Sequence, residues 1–278
     1  MREQRKQIAQ ETLTIQQQGY YIAPSGKRVD IGSAQKHAED FGRLISPEEG
    51  HTIVKSLQPP DSSQNTLYEV INASTVISIL DEAKTEQSTA ALNFASAKNP
   101  GGGFLNGAMA QEEALAASSG LYNTQIRQMA YYEKNRACGT MMYTDYAIYS
   151  PGVVFFRDEN NTLLEAPTTA SILTLPAVNM GQVIAKGEDV NRAKTVMKDR
   201  MRLALSIFAY EKNRTIILGA YGCGVFGNNP DDIARWWYEL LFEEEYMGYF
   251  QRVLFAVLDK PRGANIRAFE RLFANGIA

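Results

Sequence analysis

Residues 99–120 read NPGGGFLNGAMAQEEALAASSG, and the rest of the chain is organised around this stretch. Three consecutive glycines, at 101–103, follow an apolar run, AALNFA, at 90–95. Glycine loses more conformational freedom on folding than any other residue, so three in a row indicate positive φ angles or a ligand against the main chain. Seven residues later, Gln-Glu-Glu at 111–113 opens an alanine-rich run. The stretch therefore predicts a strand, a glycine loop and a helix in succession.

Outward from this stretch, strand and helix patterns alternate from residue 66 onward. The sequence predicts strands at 66–71, 90–95, 146–156 (broken at 150–152), 171–178, 215–218 and 253–258. It predicts helices at 74–83, 111–121, 124–135, 188–211, 231–246 and 264–273. Apolar strands that alternate with helices imply a mostly parallel sheet covered on both faces. The predicted fold class is α/β.

The first 65 residues have a different pattern. They predict a surface helix at 3–18, a hairpin at 20–31, a short helix at 33–41 capped by Ser33, and a surface loop at 56–65. No composition shift marks a boundary after the loop. We expect a single domain, with residues 1–65 as an N-terminal extension packed on a core at 66–278.

A second glycine loop, GAYGCGVFG at 219–227, follows the predicted strand 215–218. It lacks the Lys-Ser/Thr of a P-loop, and its glycines do not fit GxGxxG, which excludes two common nucleotide sites. Ligands of parallel sheets bind beyond the carboxyl ends of strands, where backbone N–H groups and helix N-termini attract anions. A tight strand-to-helix connection is the alternative for one such loop, but two loops in corresponding places favour a diphosphate site.

Composition excludes several function classes. With 278 residues, 45% of them hydrophobic, a net charge of -3 and a pI near 5.6, the chain has no basic field for nucleic acid or an anionic membrane. Cys138 and Cys223 do not make a disulfide framework, and no run is long enough to span a bilayer. With only His37 and His51, a zinc site is improbable, and we expect no metal and no cofactor. These features predict a cytoplasmic protein.

The motif GGGFLNGAMAQEE resembles that of the poly(ADP-ribose) glycohydrolases, in which three glycines and a spacer of six to eight residues precede Gln-Glu-Glu. The spacer here, 104–110, has seven residues. GAYGCGVFG also looks like the diphosphate loop of that family. The resemblance runs from about residue 66 to the end, and the N-terminal helix and hairpin are similar to the extension of bacterial-type members. It implies a macrodomain-like three-layer α/β/α sandwich with a mostly parallel mixed sheet.

The same resemblance implies hydrolysis of the ribose–ribose O-glycosidic bonds of poly(ADP-ribose), mainly from the chain end, with release of ADP-ribose. The implied partners are poly(ADP-ribose), ADP-ribose and ADP-ribosylated carrier proteins, with no sequence-specific nucleic acid and no membrane. The alternative is a macrodomain that only binds ADP-ribose or removes single ADP-ribose groups from proteins.

Carried over by position, Glu113 would be the catalytic acid/base, Glu112 would orient the ribose through its hydroxyls, and Phe226 would pack on the distal ribose. The family often has Phe-Ala-Asn before the glycines, where this chain has Ser96 as the third residue, so Asn99 is the expected stand-in for that asparagine. The other expected substrate-binding residues are Gly101, Gly102, Gly103, Gln111, Gly219, Tyr221, Gly222, Cys223, Gly224, Val225, Gly227 and Asn72, the last as a reader of the adenine edge.

The chemistry agrees with these roles. Glycoside cleavage needs an acid for the leaving oxygen and then a base for water, and one carboxyl group can serve both steps. Adjacent residues on a helix point about 100° apart, so Glu112 and Glu113 cannot play the same part. A glutamate walled by apolar residues and beside a second carboxylate would have a raised pKa. By itself, a Glu-Glu pair in a first helical turn would more often be a solvated complement to the helix dipole.

Overall fold

The structure of the protein, a computed structural model, describes residues 1–60, 65–85 and 88–273. Its helices are α1 (Arg2–Gln18), α2 (Gly32–Phe41), α3 (Pro47–Ser56), α4 (Thr75–Glu82), α5 (Gln111–Ser118), α6 (Leu121–Ile126), α7 (Met129–Ala137), α8 (Met180–Ala185), α9 (Val190–Tyr210), α10 (Pro230–Tyr238) and α11 (Ala264–Phe273). Its strands are β1 (Tyr20–Ile22), β2 (Arg28–Asp30), β3 (Arg43–Ile45), β4 (Leu67–Ile71), β5 (Thr89–Ala95), β6 (Ala147–Arg157), β7 (Leu163–Pro176), β8 (Thr215–Leu218) and β9 (Arg252–Ala256).

The central sheet has the strand order β3-β6-β7-β5-β8-β9-β4. From β7 to β4 all neighbours are parallel, whereas β6 and β3 join antiparallel at the other edge. Alternate residues of β5 serve the two faces: Ala90 and Leu92 pack in the cluster that contains Trp237, and Ala91 packs with Leu115. The predicted α/β class with a mostly parallel mixed sheet is confirmed, and it is consistent with a macrodomain-like fold.

Two predicted helices are divided differently in the structure. The helix predicted at 111–121 ends at Ser118, because Ser119 is extended and bridges to Phe155 of β6. A new helix, α6, begins after Gly120, where a Cβ would collide with the Gln35 side chain. The helix predicted at 124–135 is accordingly split between α6 and α7. Buried strand contacts, which local pattern does not show, cause this division.

Several other boundaries also differ from the sequence prediction. The break predicted at 150–152 is a bulge within one continuous strand, β6, where Gly152 has φ 58. Ser33 does not cap α2, which begins at Gly32, and Asp30 Oδ1 accepts the Gly32 N–H instead. The helix predicted at 231–246 leaves α geometry after Tyr238. β3, α3 and α8 were not predicted, and of the predicted loop at 56–65, residues 61–64 lie outside the described residues.

The two glycine loops leave the sheet on the same side, at the carboxyl ends of β5 and β8. β5 and β8 are parallel neighbours, with Ala90 opposite Ile216. The loop after β5 and the loop after β8 therefore face each other beyond the carboxyl ends of the strands. The sheet thus brings together two segments that lie more than a hundred residues apart in sequence.

The N-terminal extension is tied to the core by buried hydrogen bonds. β3 pairs with β6, and Gln16 of α1 donates to Ser119 O (3.0 Å) and accepts from Asn123 N–H (3.2 Å). Arg2 and Arg5 of α1 donate to the carbonyl oxygens of residues 106 and 107 in the spacer of the glycine motif. We propose that extension and core unfold as one cooperative unit.

That unit can be tested with two neighbouring glutamines of α1. Gln16→Ala leaves buried polar groups without partners, so we expect a loss of about 1–3 kcal/mol in the free energy of unfolding. Urea unfolding followed by the fluorescence of Trp236 and Trp237, which lie in α10, should detect this loss in the core. Gln17→Ala, at an exposed position of the same helix, should change it by less than about 0.5 kcal/mol. An unchanged core transition in Gln16→Ala would show that the extension unfolds separately.

Candidate active site

A cavity of about 670 Å³ opens between the two glycine loops. It is lined on one side by the end of β5, the first glycine loop and the start of α5, and on the other by the loop after β8. Among the residues expected from sequence, it brings together Asn99, Gly102, Gly103, Gln111, Glu112, Glu113, Gly222, Gly224, Val225 and Phe226. Ser96 also lines it.

Gly102 explains why the first loop needs glycine. Its φ is +59, and a Cβ there would collide with Glu113 Oε1 and lie 3.0 Å from Glu112 Oε2. Both glutamate side chains are therefore folded back from α5 over the main chain of the loop. The left-handed conformation and the close approach together favour glycine, because any side chain here would displace the two carboxyl groups.

Glu113 is half-buried in the first turn of α5 and faces the cavity. Its Oε1 accepts the Gly103 N–H at 2.7 Å. This bond fixes the carboxyl group between the helix N-terminus and the loop backbone. Among the described residues, the hydrogen bonds of Glu113 engage this one oxygen, which leaves Oε2 for a substrate atom.

Glu112 is buried, with 3% of its surface exposed. Its Oε2 accepts the Ser96 N–H at 2.6 Å, and its Oε1 accepts from Asn93 Nδ2 (3.3 Å) and Gln125 Nε2 (3.1 Å). Burial, the largest cause, and the neighbouring Glu113 carboxylate together raise the pKa of Glu112 to about 8, against the opposing effect of its N–H donors. The two glutamates thus have different environments, as their different helix faces predict.

Sequence reasoning missed the polar network beneath Glu112. Gln125 of α6 is fully buried, and its Oε1 accepts the Gly101 N–H at 2.9 Å while its Nε2 bonds Glu112. Asn93 of β5 bonds both Glu112 and Thr174 of β7. Asn93 was detectable as the polar residue within the apolar run AALNFA, whereas no local signal pointed to Gln125. One side chain, Gln125, therefore links the glycine loop, α6 and the buried acid.

Gln111 is expected to bind substrate, and in the structure its amide bonds neighbouring protein groups. It lines the cavity, but its Nε2 donates to Leu92 O (2.8 Å) and Thr75 Oγ1 (3.2 Å), and its Oε1 accepts the Phe94 N–H (2.9 Å). Both ends of its amide are used to fasten the start of α5 to β5 and α4. Gln111 therefore holds the helix that presents the two glutamates.

Ser96 and Asn99 both lie at the rim of the cavity. Ser96 Oγ accepts the N–H groups of Lys98 (3.2 Å) and Asn99 (3.1 Å), and so shapes the turn that leads into the glycines. Asn99 lines the cavity, as expected for the stand-in asparagine. Its backbone carbonyl accepts the Gly102 N–H at 3.0 Å.

The second loop contributes its tip to the cavity and its flanks to the core. Gly222 has φ +74 and packs against Ala177 and Asn228. Val225 is 93% exposed, whereas Phe226 is partly buried and packs against the core. Both line the cavity, and their contact with substrate stays a prediction.

Six other expected residues do not line this cavity: Gly101, Gly219, Tyr221, Cys223, Gly227 and Asn72. Tyr221 is buried, and its hydroxyl donates to Leu175 O. Burial raises the pKa of the Cys223 thiol to about 12, so this thiol is not an activated nucleophile. The amide of Asn72 bonds the backbone of Asp259 at both ends, which joins the loop after β4 to the loop after β9.

A second cavity, of about 440 Å³, continues from the first. The two share Phe94, Ala110, Gln111, Glu113, Ala220 and Gly224. Its wall is mostly apolar and includes Val76, Met109, Val257 and Leu258, with Arg5 as a cation at its edge. Glu113 therefore stands at the junction of a long two-part cleft.

Comparison with known proteins agrees with this geometry. The family described as microbial-type PARG, catalytic domain, matches residues 9–158, just over half of the chain. Comparison with curated protein sequences found no similar protein.

Solved structures match nearly the whole chain. Poly(ADP-ribose) glycohydrolase from Thermomonospora curvata is 38% identical, with a TM-score of 0.94 over 98% of this chain and 100% of that chain. The same enzyme bound to the inhibitor ADP-HPD is 37% identical, with a TM-score of 0.90 over 97% and 99%. The enzyme from Deinococcus radiodurans, in complex with ADP-ribose, is 40% identical, with a TM-score of 0.81 over 87% and 97%. This chain belongs to the microbial-type poly(ADP-ribose) glycohydrolases and is a glycoside hydrolase that acts on poly(ADP-ribose).

Proposed function

We propose that Glu113 is the general acid and then the general base in cleavage of the ribose–ribose bond, mainly at the end of the polymer. The observation that carries this role is the position of its carboxyl group, fixed by the Gly103 N–H with Oε2 left for substrate at the junction of the two cavities. In the first step Glu113 protonates the oxygen that leaves the anomeric carbon. In the second it takes a proton from the water that attacks this carbon, which restores the acid.

The rest of the cleft provides complementary groups for an ADP-ribose unit. Backbone N–H groups of residues 222 and 224–226 suit the diphosphate, and Phe226 suits a face of the distal ribose. The apolar second cavity suits adenosine. Negative charge of the diphosphate close to the ribosyl centre would stabilise positive charge in the transition state, so no second nucleophilic carboxylate is needed.

Glu113→Gln tests the acid/base role. The amide keeps an oxygen for the Gly103 N–H but cannot transfer the proton, so we expect kcat to fall by about 10²–10⁴-fold. ADP-ribose affinity, measured by calorimetry, should stay within about threefold because binding groups are retained. Glu133→Gln, an exposed glutamate of α7 outside the cleft, should keep full activity. If Glu113→Gln released ADP-ribose from automodified polymer at the wild-type rate, another residue would be the acid.

Glu112 makes stability depend on pH. Its pKa rises from 4.5 to about 8 in the folded protein, so between these values the folded chain keeps a proton that the unfolded chain releases. The free energy of unfolding should therefore be highest below about pH 4.5, as far as this group is concerned, and should fall as pH rises through 8. We expect the urea midpoint of the wild type to fall more steeply between pH 5 and 8 than that of Glu112→Gln. Equal slopes would mean that Glu112 is ionised in the folded protein.

We base the proposal of end cleavage on the second cavity. Its lining includes Arg5 and Ile8 of α1, Glu159, and Leu258 and Asn265 before and within α11. A terminal unit needs only the space between these residues, whereas an internal unit would also need an exit for the chain beyond its adenosine. We expect early digests of long polymer to contain ADP-ribose with few intermediate oligomers, as resolved by gel and by chromatography. Early accumulation of free oligomers would indicate internal cleavage.

We also propose that ADP-ribosylated proteins carry the polymer and that the protein works in the cytoplasm. Free Cys138 and Cys223 support a reducing compartment. Within the described residues, no helix has the length and apolar character to cross a membrane.

A further inference from the structure

The segment at 139–146 carries a strained residue beside the cleft. Tyr143 has φ 59, in the left-handed region that a bulky side chain rarely adopts. Such a conformation persists only where the surroundings enforce it, and it occurs most often at functional sites. The backbone of Tyr143 is held by neighbouring side chains, and its ring has a contact at the cleft.

Three side chains, two from helices and one from the loop between α8 and α9, fasten the segment on both sides of Tyr143. Buried Arg200 of α9 donates to Met142 O (2.7 Å) and to Pro176 O (3.0 Å) at the end of β7. Glu188 accepts the Met141 N–H (3.0 Å), and Asn135 of α7 accepts the Thr144 N–H (2.9 Å). Both neighbours of Tyr143 are thus fixed, and the core enforces its backbone.

The ring of Tyr143 contacts Phe226 at the mouth of the cleft. The ring centroids lie 6.0 Å apart with planes at 43°. The start of α8 aligns the two segments, because Asn179 N–H donates to Met141 O (3.0 Å) and Gly181 N–H donates to Phe226 O (2.9 Å). Backbone bonds and the ring contact therefore place Tyr143 against Phe226.

Phe226 needs such support. Its loop tip is thinly packed: a Cβ at Gly224 would meet nothing within 4 Å, and Val225 is almost fully exposed. An aromatic side chain on a tip of this kind can adopt several rotamers unless a neighbour restricts it. Tyr143 supplies a rigid neighbour that belongs to another part of the fold.

We infer that Tyr143 is a positioning residue that holds the Phe226 ring in its catalytic orientation against the distal ribose. The inference rests on the proposed role of Phe226. The segment is anchored on both sides, and Tyr143 adopts a strained backbone conformation so that its ring can reach the cleft. Small displacements of positioning groups lower kcat strongly, so the effect should appear in turnover.

Three substitutions at Tyr143 separate the ring from the strain. Tyr143→Phe keeps the ring and should keep kcat within about twofold, whereas Tyr143→Ala and Tyr143→Gly should both lose roughly tenfold. Glycine relieves the positive φ, so the melting temperature of Tyr143→Gly should exceed that of Tyr143→Ala by roughly 2–4 °C. Tyr143→Gly would then lose as much activity as Tyr143→Ala, although it is the more stable of the two. A purely structural role predicts instead that activity follows stability.

Lys212→Gly is the matched control. Lys212 also has a positive φ, of 56, but its side chain is exposed. It precedes β8, at the amino ends of the strands, whereas the cleft lies at their carboxyl ends. Its replacement should relieve strain in the same way and leave kcat unchanged.

A double-mutant cycle with Phe226→Ala tests the route of the effect. If Tyr143 acts through Phe226, Tyr143→Ala should add less than about twofold to the loss in Phe226→Ala. Independent, multiplying losses would overturn the inference and indicate direct contact of Tyr143 with substrate. Full activity in Phe226→Ala would overturn the proposed role of Phe226 itself. Full activity in Tyr143→Ala, with Phe226→Ala impaired, would overturn only the inference about Tyr143.

Discussion

The rest of the site depends on one close approach, that of the Gly102 backbone to the carboxyl groups of Glu112 and Glu113. Two acids on adjacent positions of a helix would ordinarily point into solvent. Here the loop that precedes the helix passes directly over them, and its N–H groups take part in holding them. Glycine is favoured at 102 because a side chain there would displace the two carboxyl groups. The spacer of seven residues connects this contact to the helix that carries the acids. Loop and helix are therefore a single unit.

Burial of Glu112 is costly unless donors compensate it, and the fold supplies those donors from rigid elements. Asn93 comes from β5, Gln125 from α6, and the third donor from the backbone at Ser96. Because these elements are packed on the sheet, the position of Glu112 is set by the core and not by the mobility of a surface loop. The loop tip at Val225 differs in this respect. There, by our inference, the strained segment at 139–146 supports the ring of Phe226.

The sequence predicted the parts of this arrangement that are local. The strand before the glycines, the strand at 215–218 and the helix at 264–273 have clear apolar periods, and the motif itself located both glutamates. Contacts across the fold were not predictable in this way. Gln125 looks like any polar residue of a short helix, and Tyr143 lies in a segment without regular structure. The motif located Gln111, but only the packed structure reveals the bonds of its amide to Leu92, Phe94 and Thr75. The break at Ser119 has the same origin, because a bridge to Phe155 overrides helical propensity.

The position of β4 at the edge of the sheet has a consequence for how the protein is made. Among the described strands its partner is β9, in a parallel pairing that joins Leu67 to Arg252. A ribosome that adds 5–20 residues per second therefore leaves β4 unpaired for roughly ten to forty seconds, until β9 emerges. During that time the exposed backbone of β4 can pair with another nascent chain. The sheet is complete only when its last strand, β9, has been made. The protein therefore acquires its enzymatic activity late in synthesis.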